Sequence, residues 1–294
     1  MNAQDLLPAA TAMATVMLKV GDFDGMANYY RSALGLVDIA ESDGGLYLGR
    51  GRERLLHLAP AAGLTLPAPT EAGLFHTALL FRERADLAAT VASAAQAAQS
   101  AHGRYVGSAD HLVSEAFYFT DPEGNGIELY FDKPRDTWDW TTVEGQRTVV
   151  MDNAPLPPRQ YLETNLTEES VARQHQAGAD VGHVHLQVGD IPTAEQFYVN
   201  TLGFERTAGW HGQALFVSAG GYHHHMAMNV WNSRGAGPRK DTLGLGEVLI
   251  HVPHEDEVGA LADRLMSAAV QHHHTGQELR FEDPWRNQLR VAVG

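Results

Sequence analysis

The 294-residue chain contains no cysteine. Disulfide bonds and thiolate catalysis are therefore excluded, and any metal ion must be bound by His, Asp or Glu side chains. The chain also lacks a run of eighteen apolar residues, and its first residues do not form a basic segment followed by a long apolar core. Both absences predict a soluble cytoplasmic protein with no part in a membrane.

Basic residues are scarce. The chain has 21 Lys and Arg against 36 Asp and Glu, so its formal net charge is −15. A surface of this sign repels nucleic acid and anionic membranes, and neither is expected as a partner. The length is sufficient for two domains, each with its own core.

The stretch from Ala109 to Tyr130 contains the strongest candidate site. Two β-prone segments, 116–119 and 127–130, flank turn residues at 121–126. Because side chains alternate along a strand, Glu128 points to the opposite face from its two apolar neighbours. Tyr118 lies on the partner strand of this hairpin, so a carboxylate, a phenol and the His111 imidazole are expected on one side of a sheet.

The sequence contains four copies of one unit. Each copy begins with a strand, continues into a helix and ends with two or three strands. The copies span residues 12–60, 73–132, 181–232 and 244–294. Segment 133–180 matches no copy and includes the run Pro155-Leu156-Pro157-Pro158, so it is expected to link the two halves. Its apolar residues Trp138, Trp140 and 149–151 are predicted to pack on a domain surface.

The repeated unit resembles the vicinal oxygen chelate fold, and the hairpin is similar to the signature of the extradiol dioxygenases in that superfamily. The matching elements are His111, Phe117-Tyr118, Asp121-Pro122, Gly124 and Glu128. Ala109 departs from the signature, which has Gly, Asn, Thr or a β-branched residue there. The resemblance implies an α+β fold of four βαβββ modules with curved mixed sheets. It also implies two domains, residues 1–132 and 181–294, joined by the linker 133–180.

In this superfamily the metal ligands lie on the first and last strands of paired modules. Aligning the strands brings four first-strand residues and two last-strand residues into register: Thr15, His76, His183 and Glu247, and Glu128 and Arg290. Of these, His76, Glu128 and His183 form a two-imidazole, one-carboxylate set suited to non-heme Fe(II), and Mn(II) fits the same set. This set requires module two to pair with module three, and module one with four as an empty pseudo-site. Pairing across subunits is the alternative.

Each ligand also has an ordinary structural interpretation. His76 on an apolar strand is typical of a satisfied core histidine as well as of a ligand. His185 lies two residues beyond His183 on the same strand face, and we favour His183 because it follows Gly182 as in the family strand. The turn at 121–126 followed by a solvent-facing Glu128 is a common hairpin.

Three further residues are predicted to act on the substrate. The resemblance implies an acid–base histidine in the run 223–225, and the small residue Ala227 selects His224, with His223 and His225 left as alternatives. His111 and Tyr118 are expected to hydrogen-bond the bound oxygen atoms. No residue is assigned to an organic cofactor.

The resemblance implies an extradiol dioxygenase of the catechol 2,3-dioxygenase type, which uses Fe(II) and O2 to cleave an aromatic diol. One alternative is a glyoxalase-like isomerase or lyase, which would need a redox-inert metal and usually a fourth protein ligand. Another is a small-molecule binder of the bleomycin-resistance type without a metal. Members of the superfamily usually associate, so a homo-oligomer is expected.

Overall fold

The computed structural model describes residues 6–42, 44–100, 102–143 and 145–294. Residues 1–5, 43 and 101 of the predicted first domain, and residue 144 of the predicted linker, lie outside the described residues. Among the described helices, none is long and apolar enough to cross a membrane.

Each of the four repeats is a strand, a helix and three further strands. Repeat one comprises β1 (Ala12–Val20), α1 (Phe23–Leu34), β2 (Val37–Ser42), β3 (Gly45–Arg50) and β4 (Glu53–Pro60). Repeat two comprises β5 (Gly73–Phe81), α2 (Arg84–Gln99), β6 (Arg104–Asp110), β7 (Ser114–Thr120) and β8 (Gly126–Asp132). The predicted βαβββ unit is present in both.

The linker carries short elements of its own. They are a 3₁₀ turn (Arg135–Thr137), β9 (Trp140–Val143), β10 (Gln146–Val149), α3 (Pro158–Asn165) and α4 (Glu168–Ala172). Trp138 and Val149 are buried in a cluster with Val113 and Tyr222, and Trp140 packs against it. The prediction that these linker residues pack on a domain surface is confirmed for Trp138, Trp140, Val149 and Met151, whereas Val150 is exposed.

Repeats three and four follow the same plan. Repeat three comprises β11 (Ala179–Gln187), α5 (Ile191–Glu195) continued by a π-helical turn (Gln196–Thr201), β12 (Glu205–Trp210), β13 (Ala214–Ser218) and β14 (Met226–Asn229). Repeat four comprises β15 (Gly244–Val252), α6 (Glu255–Ser267), β16 (His272–His274), β17 (Glu278–Glu282) and β18 (Gln288–Val293).

The strands form two curved eight-stranded sheets. One has the order β16-β17-β18-β15-β1-β4-β3-β2 and joins repeats four and one; the other has the order β12-β13-β14-β11-β5-β8-β7-β6 and joins repeats three and two. At the centre of each sheet, the first strands of two repeats pair antiparallel. The predicted α+β fold and the predicted pairing of the repeats are confirmed. Each sheet takes one repeat from each half of the chain. The division of the chain into domains 1–132 and 181–294 stays a prediction.

Alternation along the strands decides which side chains reach the core. On β8, Ile127 and Leu129 are in the main apolar core, whereas Glu128 points to the opposite face of the sheet. On that opposite face, Ala78, Ala116 and Tyr130 form a small buried cluster of their own. The two alanines leave room above the sheet for larger polar side chains.

Candidate metal centre

Three adjacent strands bring the predicted ligands together. In the second sheet β5 lies between β8 and β11, and Ala78 on β5 pairs with Glu128 on one side and with His183 on the other. His76 is two residues before Ala78, so its side chain shares that face. The residue before His183 has to be a glycine, because a Cβ on Gly182 would lie 1.7 Å from the Tyr130 hydroxyl.

The ligand atoms of this group nearly touch one another. The Nε2 atoms of His76 and His183 are 2.9 Å and 3.0 Å from Glu128 Oε2, and 3.3 Å from each other. Two ligands held at right angles about 2.1 Å from one ion lie about 3.0 Å apart. All three side chains are buried. The described residues therefore contain a His-Glu-His group whose donor atoms and spacing fit one divalent cation.

Electrostatics favour the protonation states that a metal needs. Burial alone would raise the pKa of Glu128, but His183 and His76 outweigh it and hold that pKa well below its usual value. Burial lowers the pKa of His183 to about 4, against the opposing influence of Glu128. A neutral imidazole and an ionised carboxylate are the metal-binding forms. The Nδ1 atom of His183 is buried and has no hydrogen-bond partner among the described residues.

The strand register also defines a fourth position. Glu128 pairs with the residue two beyond His76, and in repeat three Ala227 pairs with His185, the residue two beyond His183. Ala227 therefore corresponds to Glu128, and it has no ligand atom. One side of the site lacks a protein ligand for this reason.

The first sheet has the same four positions, filled by different residues. They are Thr15, Glu247, Arg290 and His57. Arg290 Nε lies 2.7 Å from Glu247 Oε1, and its Nη1 lies 3.1 Å from Glu278 Oε2. A guanidinium thus provides positive charge beside Glu247 in this sheet. The register positions of the predicted pseudo-site thus hold an ion pair.

The predicted oxygen-binding pair, His111 and Tyr118, lies beside the ligands. Tyr118 pairs directly with Glu128 across the hairpin, and its hydroxyl lies 2.6 Å from His111 Nε2. His111 Nδ1 lies 3.0 Å from the Asp152 carbonyl oxygen in the linker. Because a carbonyl only accepts, His111 donates to it from Nδ1. The Tyr118 hydroxyl, which has one proton, lies between His111 Nε2 and the Glu128 carboxylate, with which it also hydrogen-bonds. Burial, followed by the charge of Glu128, raises the pKa of Tyr118 well above its usual value, so it remains a phenol.

The three consecutive histidines of repeat three have different environments. His224 lines the same cavity as the ligands, and its ring centroid lies 4.2 Å from that of His183. His223 is fully buried and contacts Asp132, whereas His225 accepts a hydrogen bond from the Ala219 N–H. Of the three, His224 is placed to meet a molecule in the cavity, and its role stays a prediction.

A tight turn before the histidines sets these directions. Gly220 and Gly221 have φ values of +63° and +70°, a conformation that L side chains rarely adopt. A Cβ on Gly220 would also lie 2.5 Å from the Ala9 carbonyl oxygen. The two glycines therefore turn the chain immediately before Tyr222 and the histidines.

Two neighbouring residues were not assigned a role from the sequence. His185 lies opposite His76, lines the cavity and is 3.0 Å from Asn229 Nδ2 through its Nε2. Asp132 closes β8, four residues beyond Glu128. Strand alternation indicates from the sequence that each residue shares a sheet face with a predicted ligand. Which side chains His185 and Asp132 contact is seen only in the structure.

The cavity in front of the site has a volume of about 1210 Å³ and a mostly apolar lining. Trp210, His211 and Trp231 are among the residues that line it. Trp231 packs edge-on against Phe75, with ring centroids 5.2 Å apart. A cavity of this size and polarity suits a small organic molecule.

Comparison with known proteins matches this arrangement to one superfamily. The model of the Glyoxalase/Bleomycin resistance protein/Dioxygenase superfamily matches residues 12–129 and 180–291. Catechol-2,3-dioxygenase from Bacillus subtilis (strain 168) is 32% identical over 279 residues, which covers 93% of this chain and 94% of that protein.

Solved structures at low identity share the fold. A protein of Bacillus subtilis subsp. subtilis str. 168 has a TM-score of 0.61 at 12% identity, covering 96% of this chain and 84% of that one. Glyoxalase I from Zea mays has a TM-score of 0.58 at 14% identity, covering 97% of this chain and 92% of that one.

Proposed function

The chain belongs to the Glyoxalase/Bleomycin resistance protein/Dioxygenase superfamily, and we propose that it is an extradiol dioxygenase that cleaves a catechol-type aromatic diol with O2. The proposed centre is Fe(II), with Mn(II) as the alternative metal, held by His76, Glu128 and His183. The observation that carries the proposal is this three-residue set with Ala227 in the fourth register position.

The donor set supports this metal chemistry. Two imidazoles and one carboxylate on one side of an ion form the facial triad of non-heme Fe(II) oxygenases. When bound, Fe(II) would supply free coordination positions for both diol oxygens and O2, and would allow electron transfer between them. A glyoxalase-like isomerase or lyase would use a fourth protein ligand, which Ala227 does not provide.

The surrounding side chains have complementary tasks. His224 would accept a proton from the diol, and its position beside His183 supports this role. Tyr118 and His111 would hydrogen-bond oxygen atoms on the other side, and their mutual hydrogen bond fixes both side chains. The apolar cavity would bury the ring and exclude water.

The test is oxygen uptake by protein that has been reconstituted with Fe(II) under anaerobic conditions. Addition of catechol in air should consume one O2 per catechol and produce a yellow ring-cleavage product. His76→Ala and Glu128→Ala should lose both bound iron and colour, whereas Glu247→Gln, the matched change in the first sheet, should retain both. Iron-loaded protein that consumes no O2 with any of a panel of substituted catechols would overturn the proposal, as would Glu128→Ala with full iron and turnover.

The non-catalytic alternative, a small-molecule binder without a metal, predicts that the same protein does not bind iron tightly. Metal analysis after gel filtration separates it from the proposed enzyme. Assembly as a homo-oligomer and a cytoplasmic location stay predictions.

A further inference from the structure

We propose that Asp132 and His223 are positioning residues, which fix the proton of His224 on Nδ1 and leave its Nε2 free to accept a proton in the cavity. This inference rests on the proposed role of His224 as the base. It extends that role to two residues outside the metal-binding group and the substrate cavity.

The three residues form a continuous chain of contacts. His223 Nε2 lies 2.9 Å from Asp132 Oδ1, and His223 Nδ1 lies 2.8 Å from His224 Nδ1. His223 has no exposed surface, and Asp132 is mostly buried with its side chain 19% exposed. Water therefore does not compete for the inner links of this chain.

Hydrogen-bond chemistry sets the direction of each link. An ionised carboxylate only accepts, so His223 donates from Nε2 to Asp132. We take His223 to be a neutral imidazole, which has one donor and one acceptor nitrogen, so that its Nδ1 is an acceptor. The contact of 2.8 Å between the two Nδ1 atoms then requires His224 to donate from its Nδ1. The remaining nitrogen of His224, Nε2, carries a lone pair.

This lone pair belongs to a ring that borders the cavity. His224 lines the cavity, and its ring lies beside His183 and Phe216. Its Nε2 has no hydrogen-bond partner in the described part of the chain, whereas its Nδ1 faces His223. The tautomer of His224 with its proton on Nε2 could not accept a proton from the substrate. A contact that holds the proton on Nδ1 keeps the ring in the active tautomer.

The third histidine of the run provides an internal comparison. His225 Nδ1 lies 3.2 Å from the Ala219 N and 3.1 Å from the Ser218 hydroxyl, and His225 does not line the cavity. Like His223 it is buried. A change at His225 therefore disturbs the same turn without touching the contact between Asp132, His223 and His224.

The direct test is the tautomer of each ring in the metal-free wild-type protein. Nitrogen-15 chemical shifts would be measured at about pH 8, above the usual pKa of histidine, and assigned with His223→Gln and His224→Gln. The proposal requires the proton on Nε2 of His223 and on Nδ1 of His224. A doubly protonated His223, or a proton on Nε2 of His224, would overturn it. This measurement needs no activity.

Kinetics of the iron-loaded protein give the second test. His223→Gln retains an amide donor for Asp132 and a carbonyl acceptor for His224, so most of kcat should remain. His223→Leu removes both and should lower kcat by about 100-fold, within the usual range for a general base, with KM and iron content unchanged. His225→Asn is the matched control and should keep the wild-type kcat.

The outcomes separate this inference from the proposed function. Suppose that the wild type cleaves catechol and that His223→Leu, folded and loaded with iron, has the same kcat. The positioning role is then wrong, and the enzyme assignment stands. If His223→Leu does not fold, the wild-type tautomers decide. If the wild type cleaves no diol, the assignment fails, and the tautomers still test the contact chain.

Discussion

Ala227 occupies, on β14, the register position that Glu128 occupies on β8. Ala227 pairs with His185 and Glu128 pairs with Ala78, each two residues beyond a predicted ligand on the neighbouring strand. The two repeats thus supply equivalent backbone positions with unequal side chains. This inequality leaves one side of the group without a protein ligand.

Ala227→Glu should convert the site to four protein ligands. The added carboxylate would neutralise the second charge of a divalent cation and occupy a position needed by the substrates. Bound metal should therefore resist chelators longer, while oxygen uptake with catechol falls by at least about tenfold. Ala227→Gln controls for the added volume. Wild-type oxygen uptake by a metal-loaded Ala227→Glu protein would contradict the proposed open side.

Glu128→Gln should remove most of the metal affinity without changing the size of the side chain. The amide cannot supply the negative charge, and changes of residues that merely support a metal ligand already cost about 10- to 100-fold in affinity. A ligand change should cost more, measured as iron bound per protein after desalting. Glu247→Gln, in the first sheet, should leave iron content unchanged. Equal iron in both variants would contradict the assignment of Glu128.

The hairpin was predictable from the sequence because it depends on a short periodic pattern, and the pairing of the repeats was predictable from the register of the candidate ligands. Alternation around Glu128 and the spacing to Tyr118 are confirmed by the direct pairing of these two residues. The pairing of repeats two and three followed from the chemistry of the ligands, since Thr15 and Arg290 are poor ones. The sheet order confirms that pairing.

Other features depend on contacts that no local pattern contains. His183 and His185 share a strand face, and register shifts on either side of them decide that His183 reaches Glu128. His111 contacts a linker carbonyl at Asp152, and His223 contacts the Asp132 carboxylate. Both partners are distant in sequence from the histidine they contact, so the sequence alone does not indicate them.

Arg290→Met should destabilise the fold without affecting the metal. It leaves Glu247, whose side chain is 12% exposed, without its partner at 2.7 Å. A loss of about 2 kcal/mol is expected in urea unfolding, between the values for exposed and buried pairs. The double variant Arg290→Met/Glu247→Met should recover most of the loss, since no unpaired charge remains. A fall in iron content would contradict the independence of the two sheets.

His225 should make the metal-free protein sensitive to acid. Burial, with a smaller contribution from the charge of Arg135, lowers the pKa of His225 to about 3. Between that value and the ordinary pKa of about 6.5, the unfolded chain binds a proton that the folded chain does not. Stability is therefore lost as the pH falls through this window, by about 1.4 kcal/mol per unit.

Comparison with His225→Asn isolates that contribution. The variant keeps an acceptor for the Ala219 N–H but has no titrating ring. Urea unfolding across the acid range should give a shallower dependence on pH for the variant than for the wild type. Two parallel curves would contradict the depressed pKa of His225.

The most direct measurement of the central claim is an anomalous difference map from a crystal loaded anaerobically with Fe(II). The account predicts one strong peak within about 2.3 Å of Nε2 of His76, Nε2 of His183 and an Oε atom of Glu128, with no peak beside Glu247. A peak bound by other side chains, or an iron-soaked crystal with no peak at these three, would contradict it.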